Sequence, residues 1–343
     1  MPPEVPMNAV KVTPQTVEMM EFYHGLRISL LVSVLAELGV ADEVADEPLP
    51  IEEIAMRTGA DADSLYRALR AVASKGIFAE VEPRVFGLTE LAETLRSRDG
   101  SLRDLFRIQG QPFMLDAFAK IGHTVRTGEP AFDYAHGKDL YSYLTERPEM
   151  SQLFNTATFN GTHPMQREAI GAYDLSKVRR LVDIGGGHGH LLAALLSRYP
   201  RMRGVVFDQP HVVQGATAVL AAAGVADRAE IVGGDYRSSI PAGDAHVLSN
   251  IVHQMSDDEA VAVLRNIREA MDPDGQVILI GPVVPEGNEP HAGKSVDTII
   301  MTMTRGRVRR ADELAALLEK AGLRHSSTVA PLAPASVVVA VAA

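Results

Sequence analysis

Apolar and polar positions change period along this chain. From position 179 onward, short apolar runs alternate with stretches of helical spacing. RRLVDIG (179–185) is a compact apolar run ending in glycine and predicts a buried strand, followed by HLLAALLSRY with apolar residues at helical intervals. RGVVFD (203–208) predicts the next strand and HVVQGATAVLAAAG (211–224) a helix closed by its terminal glycine. AEIVGGD (229–235), AHVLSNI (245–251) and QVILIG (276–281) predict three more strands. Between the last two, a helix from about Asp257 to Met271 stops before Pro273. A final helix over Ala311–Ala321 ends at Gly322. It precedes HSSTVAP and SVVVAVA, two β-rich runs too close for a helical crossover and therefore expected to pair antiparallel. Alternation of this kind predicts a mostly parallel, doubly wound α/β sheet with right-handed crossovers, closed by one terminal antiparallel hairpin.

The first part of the chain reads differently. Helical patterns cover Met19–Leu38, Pro50–Thr58 and Ser64–Lys75, and GIFAEVEPRVFGLTE then predicts a two-stranded wing turning at Glu82-Pro83. Helices followed by a small hairpin describe a winged-helix-like unit, a form used for DNA binding and for dimerisation. The expected division is a mainly α unit over 1–100, a helical segment rich in Phe, Tyr and Met over 101–173, and the α/β domain over 174–343. No repeats or low-complexity tracts are visible.

The 343 residues fit two domains, and 46% hydrophobic composition is enough for a sizeable core. Cysteine is absent, which removes disulfides, thiolate zinc sites and cysteine nucleophiles and fits a reducing, cytoplasmic setting. The start lacks the basic and apolar regions of a signal peptide, and no unbroken apolar run is long enough to span a membrane, so no membrane partner is expected. A net charge of −11 and 5% aromatic residues argue against nucleic acid. The basic stretch Arg305-Gly306-Arg307-Val308-Arg309-Arg310 is expected to be a solvated loop running into a helix.

The chemistry concentrates where strands end. In Asp183-Ile184-Gly185-Gly186-Gly187-His188-Gly189 a strand runs into glycines and then opens a helix, letting backbone N–H groups approach a ligand closely. Asp208 ends the next strand, where a carboxylate can take both hydroxyls of a ribose. A dinucleotide fingerprint requires G-x-G-x-x-G/A, and counting from Gly185 and Gly187 the third position is His190, so that pattern fails. The spacing suits the methionine end of a sulfonium nucleoside, which carries no phosphate. At the end of the third strand, Gly234-Asp235-Tyr236 offers a carboxylate for an adenine amino group and an aromatic ring for its face. Gln209, Ser249 and Asn250 complete the candidate cofactor set.

These segments carry a resemblance. LVDIGGGHG, GVVFDQPHVV, GGDYRSSIP and LSNIVHQMSDDEAVAVLRNIREAM occur in the order seen in O-methyltransferase family 2, the caffeate- and hydroxyneurosporene-type enzymes that include many actinobacterial tailoring enzymes. VFGLTELAETLRS, RTGEPAFDYAHGKDLYSYL and LFNTATF are similar to the family in the first half, so nearly the whole chain is covered. The resemblance implies a Rossmann-like class I domain using S-adenosyl-L-methionine and a winged-helix dimerisation domain forming a homodimer. It implies a small aromatic or polyketide-like acceptor, methylated on a hydroxyl.

Family members carry His-Asp-Trp after the fourth strand, with the His as general base. Here the residues are His253-Gln254-Met255, and an imidazole suits proton acceptance near neutral pH. The two acids that support that His in the family match Gly281 and Val308, so both carboxylates are replaced. That leaves open an alternative: a homologue that binds the cofactor but catalyses hydroxylation or cyclisation. A third reading, a regulatory dimer using the winged helix on DNA, is set against the charge. Asp297 and Met301 match the family's D-x-x-x-M stretch lining the acceptor pocket. Phe113, Met114, Phe154, Asn155, Phe159, Met255 and Met303 are further pocket candidates, each also plausible as core. His291 beside His253 makes a poor metal pair, because Gln254 is a weak ligand, and no metal is expected.

Overall fold

The computed structural model describes residues 12–98, 100–332 and 335–343. Contacts divide the chain into two compact units, one running to Met114 and including Gln152–Gly161, the other formed by Leu115–Ser151 and Thr162–Ala343. The 101–173 segment is thus shared between them.

In the first unit the helix Pro14–Leu38 is capped by Thr13, whose hydroxyl accepts from the Thr16 amide, and it ends at Gly39 in the left-handed region. Its last turns bury Val32 and Leu35 in a core with Ile51, Ile54, Leu69, Phe78 and Phe86. Its earlier turns leave Met19, Phe22, Tyr23 and Leu26 exposed. With a mean hydropathy of 1.2 over its most apolar stretch, this helix meets the length and composition of a membrane span. No unbroken apolar run is present, because Glu21 and Arg27 interrupt the stretch without lowering its average enough. Helices Ile51–Thr58 and Ala62–Ala73 follow. A three-stranded antiparallel sheet of β1 (Leu49–Pro50), β2 (Ala79–Glu82) and β3 (Val85–Gly87) stands in the order β1-β3-β2. The wing forms as expected, turning at Pro83-Arg84 and gaining β1 as a short third strand.

The second unit is built on a seven-stranded sheet. Its strands are β4 (Arg180–Ile184), β5 (Arg203–Asp208), β6 (Ala229–Gly233), β7 (Gly243–Ser249), β8 (Met271–Gly281), β9 (Leu323–Leu332) and β10 (Ala335–Ala342). The order is β6-β5-β4-β7-β8-β10-β9, parallel through β8 and antiparallel at β10 and β9. Both faces are covered, so the strands are apolar on both sides. Leu181, Val206, Val247, Ile278 and Val337 pack on one face with the helix His190–Arg198. Val182, Val205, Leu248, Leu279 and Val338 pack on the other with Asp257–Ala270 and Ala311–Lys320.

Two boundaries depart from the sequence pattern. β8 begins at Met271 and passes through Pro273, where the pairing with β7 shifts register; a residue without N–H is tolerated at such an irregularity. The 211–224 helix opens as a 3₁₀ turn, Val213–Gly215, before Ala216–Ala222, and there Gly215 lies against the His188 ring.

Candidate functional site

The carboxyl ends of β4, β5, β6 and β7 carry the candidate cofactor residues. β4 ends in Asp183 and Ile184 and turns at Gly185 and Gly187, with φ of 67° and 57°. At Gly185 a Cβ would stand 2.5 Å from the Ile251 side chain, whereas at Gly187 nothing lies within 4 Å, so the turn is pressed on one side and open on the other. The Gly187 amide donates to one oxygen of Asp208 at 2.9 Å and the Gln209 amide to the other at 2.7 Å. These two bonds fix the carboxylate at the end of β5, and each oxygen keeps a lone pair for a ligand. Gly234 donates to the Asp208 carbonyl at 2.9 Å, bringing β6 and its Asp235-Tyr236 alongside. Asn266 holds the Tyr236 carbonyl at 3.1 Å.

Asp183 is only 1% exposed. Burial, then the nearby Asp208 carboxylate, push its pKa up to about 7. Its Oδ2 and the Ser249 hydroxyl are buried without a protein partner. They stand at the ends of the adjacent strands β4 and β7, on the same sheet face by register. Two orphaned acceptors beside an open glycine turn are what a ligand with ammonium and hydroxyl donors requires.

His253 is held differently. It sits in the 3₁₀ turn Val252–Gln254, between β7 and the helix Asp257–Ala270, which begins in a reciprocal Ser256–Glu259 cap. The turn is clamped by Arg309, only 2% exposed, whose guanidinium donates to the Val252 and Met255 carbonyls at 2.9 Å and to Asp257 at 2.7 Å. This corrects the solvated-loop expectation. Arg305 and Arg307 are exposed in ion pairs, but Arg309 is buried where four acceptors, the Val252, Met255 and Arg307 carbonyls and Asp257, converge on it. Burial, then the Arg309 charge, lower the His253 pKa to about 4. Gly281, at the end of β8, faces the imidazole: a Cβ there would lie 3.3 Å from Nδ1. Val308 is buried, and its amide donates to Asp297 at 2.6 Å. No hydrogen bond to the imidazole is formed by the described residues.

The remaining candidates scatter. Phe113 and Met114 are buried, and Phe154, Asn155 and Phe159 line the Pro148–Gly171 helix, all in the first unit. Met255 packs in the core beneath its turn and Met303 is buried, while Met301 is half-buried on the Ala292–Met303 helix. His291 caps that helix, accepting from the Gly293 amide at 3.1 Å. Asn250 adopts φ 57° and donates to the Ile280 carbonyl, and its own carbonyl accepts from Gln254 at 2.7 Å.

Tyr141 escaped the sequence reading. Its hydroxyl bonds to the Gln254 side chain. It keeps 46% of its surface in solvent, yet the phenol lies deep enough among Gln254, Tyr236 and Asp208 that desolvation raises its pKa. Only its place in DLYSYL hinted at a role.

An O-methyltransferase domain matches residues 118–324, and an O-methyltransferase dimerisation domain matches residues 20–98. The chain belongs to the O-methyltransferase family. It is 40% identical to the phenazine O-methyltransferase PhzM of Lysobacter antibioticus, over 92% of this chain and 93% of that one. It is 35% identical to the mitomycin biosynthesis 6-O-methyltransferase of Streptomyces lavendulae, over 85% and 84%. An O-methyltransferase of neocarzinostatin biosynthesis, solved with S-adenosylmethionine and 2-hydroxy-5-methyl naphthoic acid, has a TM-score of 0.79 at 32% identity, covering 92% of this chain and 96% of that one. This O-methyltransferase family member is an S-adenosylmethionine-dependent methyltransferase on a class I fold with an N-terminal dimerisation domain. The alternative of a cofactor-binding homologue with another chemistry finds no support among its relatives.

Proposed function

We propose that this enzyme transfers the methyl group of S-adenosylmethionine to a hydroxyl of a small aromatic or polyketide-like secondary metabolite. The observation that carries the reading is the Asp208 carboxylate, fixed by the Gly187 and Gln209 amides at the mouth of an open glycine turn. Asp208 takes the ribose hydroxyls, Asp235 and Tyr236 the adenine, and Asp183, Ser249 and Asn250 face the methionine end. Gly185 and Gly187 let the backbone close on the ligand. The bound sulfonium supplies an activated methyl group. The protein's part is then to hold an acceptor oxygen in line with it and keep water out.

His253 receives the acceptor hydroxyl. As a neutral imidazole at pH 7 it hydrogen-bonds the acceptor oxygen and orients its lone pair. Asp297 and Met301, both on the Ala292–Met303 helix, shape the acceptor pocket. The three-part division at 100 and 173 is retained as a functional one: dimerisation, acceptor binding, cofactor binding. The exposed Met19, Phe22, Tyr23 and Leu26 face is where a second copy docks to form a homodimer. Neither nucleic acid nor membrane is a partner, and the setting is cytoplasmic. The reading is tested by S-adenosylhomocysteine release with a panel of hydroxynaphthoates and hydroxyphenazines. Acceptor-dependent release with formation of the methyl ether supports it, and tight cofactor binding with no turnover on any acceptor sinks it.

A further inference from the structure

Taking methyl transfer to a hydroxyl as given, we propose that this enzyme is confined to acidic hydroxyls, phenols conjugated to an electron-withdrawing ring, which arrive already ionised near neutral pH. The surroundings of His253 carry the inference. Nδ1 faces Gly281, which has no side chain to offer it. Val308 presents an apolar side chain, and its amide occupies the carboxylate of Asp297. Arg309 and Arg307 are the charged groups lining the small cavity beside the imidazole, of about 30 Å³, whose other walls include Leu248, Val252 and Leu279. Asp257, the carboxylate on the adjoining helix, accepts two bonds from Arg309. Asn250 and Gln254 are neutral, and Gln254 is taken up by the Asn250 carbonyl and Tyr141.

Among the described residues no carboxylate faces the imidazole, and burial and the Arg309 guanidinium oppose its protonation. With the His253 pKa lowered to about 4, taking a proton from an ordinary phenol is unfavourable by about a millionfold. An acidic phenol removes the difficulty, because its proton is lost to bulk water before the reaction. The phenolate oxygen then uses a lone pair to form the bond to the methyl carbon. The carbon–sulfur bond breaks with its electron pair remaining on sulfur, and the products are a neutral methyl ether and a neutral thioether.

The test uses the full-length enzyme and a series of substituted phenols whose hydroxyl pKa runs from about 6 to about 10. At pH 7, kcat/KM should fall about tenfold for each unit of acceptor pKa above the assay pH. The acceptor bound to the enzyme with S-adenosylhomocysteine should show the phenolate absorption band. His253→Asn should lower turnover by the same factor with every acceptor. Gly281→Glu, which returns a carboxylate beside Nδ1, should raise turnover selectively for the least acidic phenols and raise the His253 pKa followed by NMR titration. Turnover independent of acceptor pKa, a neutral-phenol spectrum in the complex, or a His253→Asn defect that grows with acceptor pKa would each overturn the proposal while leaving methyl transfer intact. Absence of turnover with every acceptor would instead overturn the reading on which it rests.

Discussion

The two halves of the site differ in how they are provisioned. The cofactor half, at the ends of β4, β5, β6 and β7, holds Asp183, Asp208 and Asp235, backbone amides fixed on Asp208, and two buried acceptors, of Asp183 and Ser249, with no protein partner. The acceptor half, in the turn after β7 and at the end of β8, holds an imidazole facing Gly281 and a buried guanidinium that clamps the turn. One half is built to meet a ligand's charges and hydrogen bonds. The other is built to hold a turn in place. On the proposal made above, the acceptor half does no acid–base work.

The comparison breaks most severely at Arg309. Arg309→Met leaves the Val252 and Met255 carbonyls without their donor inside the protein, at a cost of about 2–5 kcal/mol. Urea unfolding should show that loss, and an unchanged midpoint would mean that the guanidinium does not hold the turn. Because Asp257 is half exposed, it can return to water and adds little to this cost.

Acid titration separates the halves by sign. Below its ordinary pKa of 6.5 an unfolded His253 binds a proton that the native site refuses until about pH 4. Its contribution to stability is therefore present above pH 6.5 and is lost as pH falls toward 4, by about 3 kcal/mol. His253→Asn should lose less stability than the unaltered protein between pH 7 and pH 4.5, measured by urea midpoints. Asp183 works oppositely: its raised pKa means that its contribution falls as pH rises from about 4 to about 7. Equal acid sensitivity of the two proteins would show that His253 is solvated.

Tyr141 joins the halves and should give the smallest effect. Tyr141→Phe removes its bond to Gln254 while keeping the ring, so cofactor affinity should weaken about fivefold, roughly 1 kcal/mol, by calorimetry. No change, with the fold intact, would make the contact incidental.

Legibility in the sequence divides along the same line. β4–β7 and the glycine turn could be read because apolar runs and glycine spacing are local signals. The burial of Arg309 could not, since its partners are carbonyls more than 50 positions away and a backbone carbonyl has no signature in the sequence. Tyr141 and Gln254 are 113 positions apart, and nothing in either neighbourhood announces the pairing. β8 was read too short because Pro273 is a strong breaker only where its missing N–H is needed, and the shifted register with β7 removes that need. Gly281 and Val308 were visible as departures, but only the geometry shows that Gly281 looks directly onto Nδ1.

The central claim, that the cradle around Asp208 delivers a methyl group to a phenolic oxygen, is tested most directly by label transfer. S-adenosylmethionine radiolabelled in its methyl group, incubated with the enzyme and an acidic hydroxynaphthoate, should give one labelled methyl ether for each S-adenosylhomocysteine formed. In Asp208→Ala the yield at limiting cofactor should fall about a hundredfold, as expected when a charged hydrogen-bonding partner of the ribose is removed. Label that stays on the cofactor while the acceptor is altered, or an Asp208→Ala enzyme that transfers as well as the unaltered one, would contradict the account.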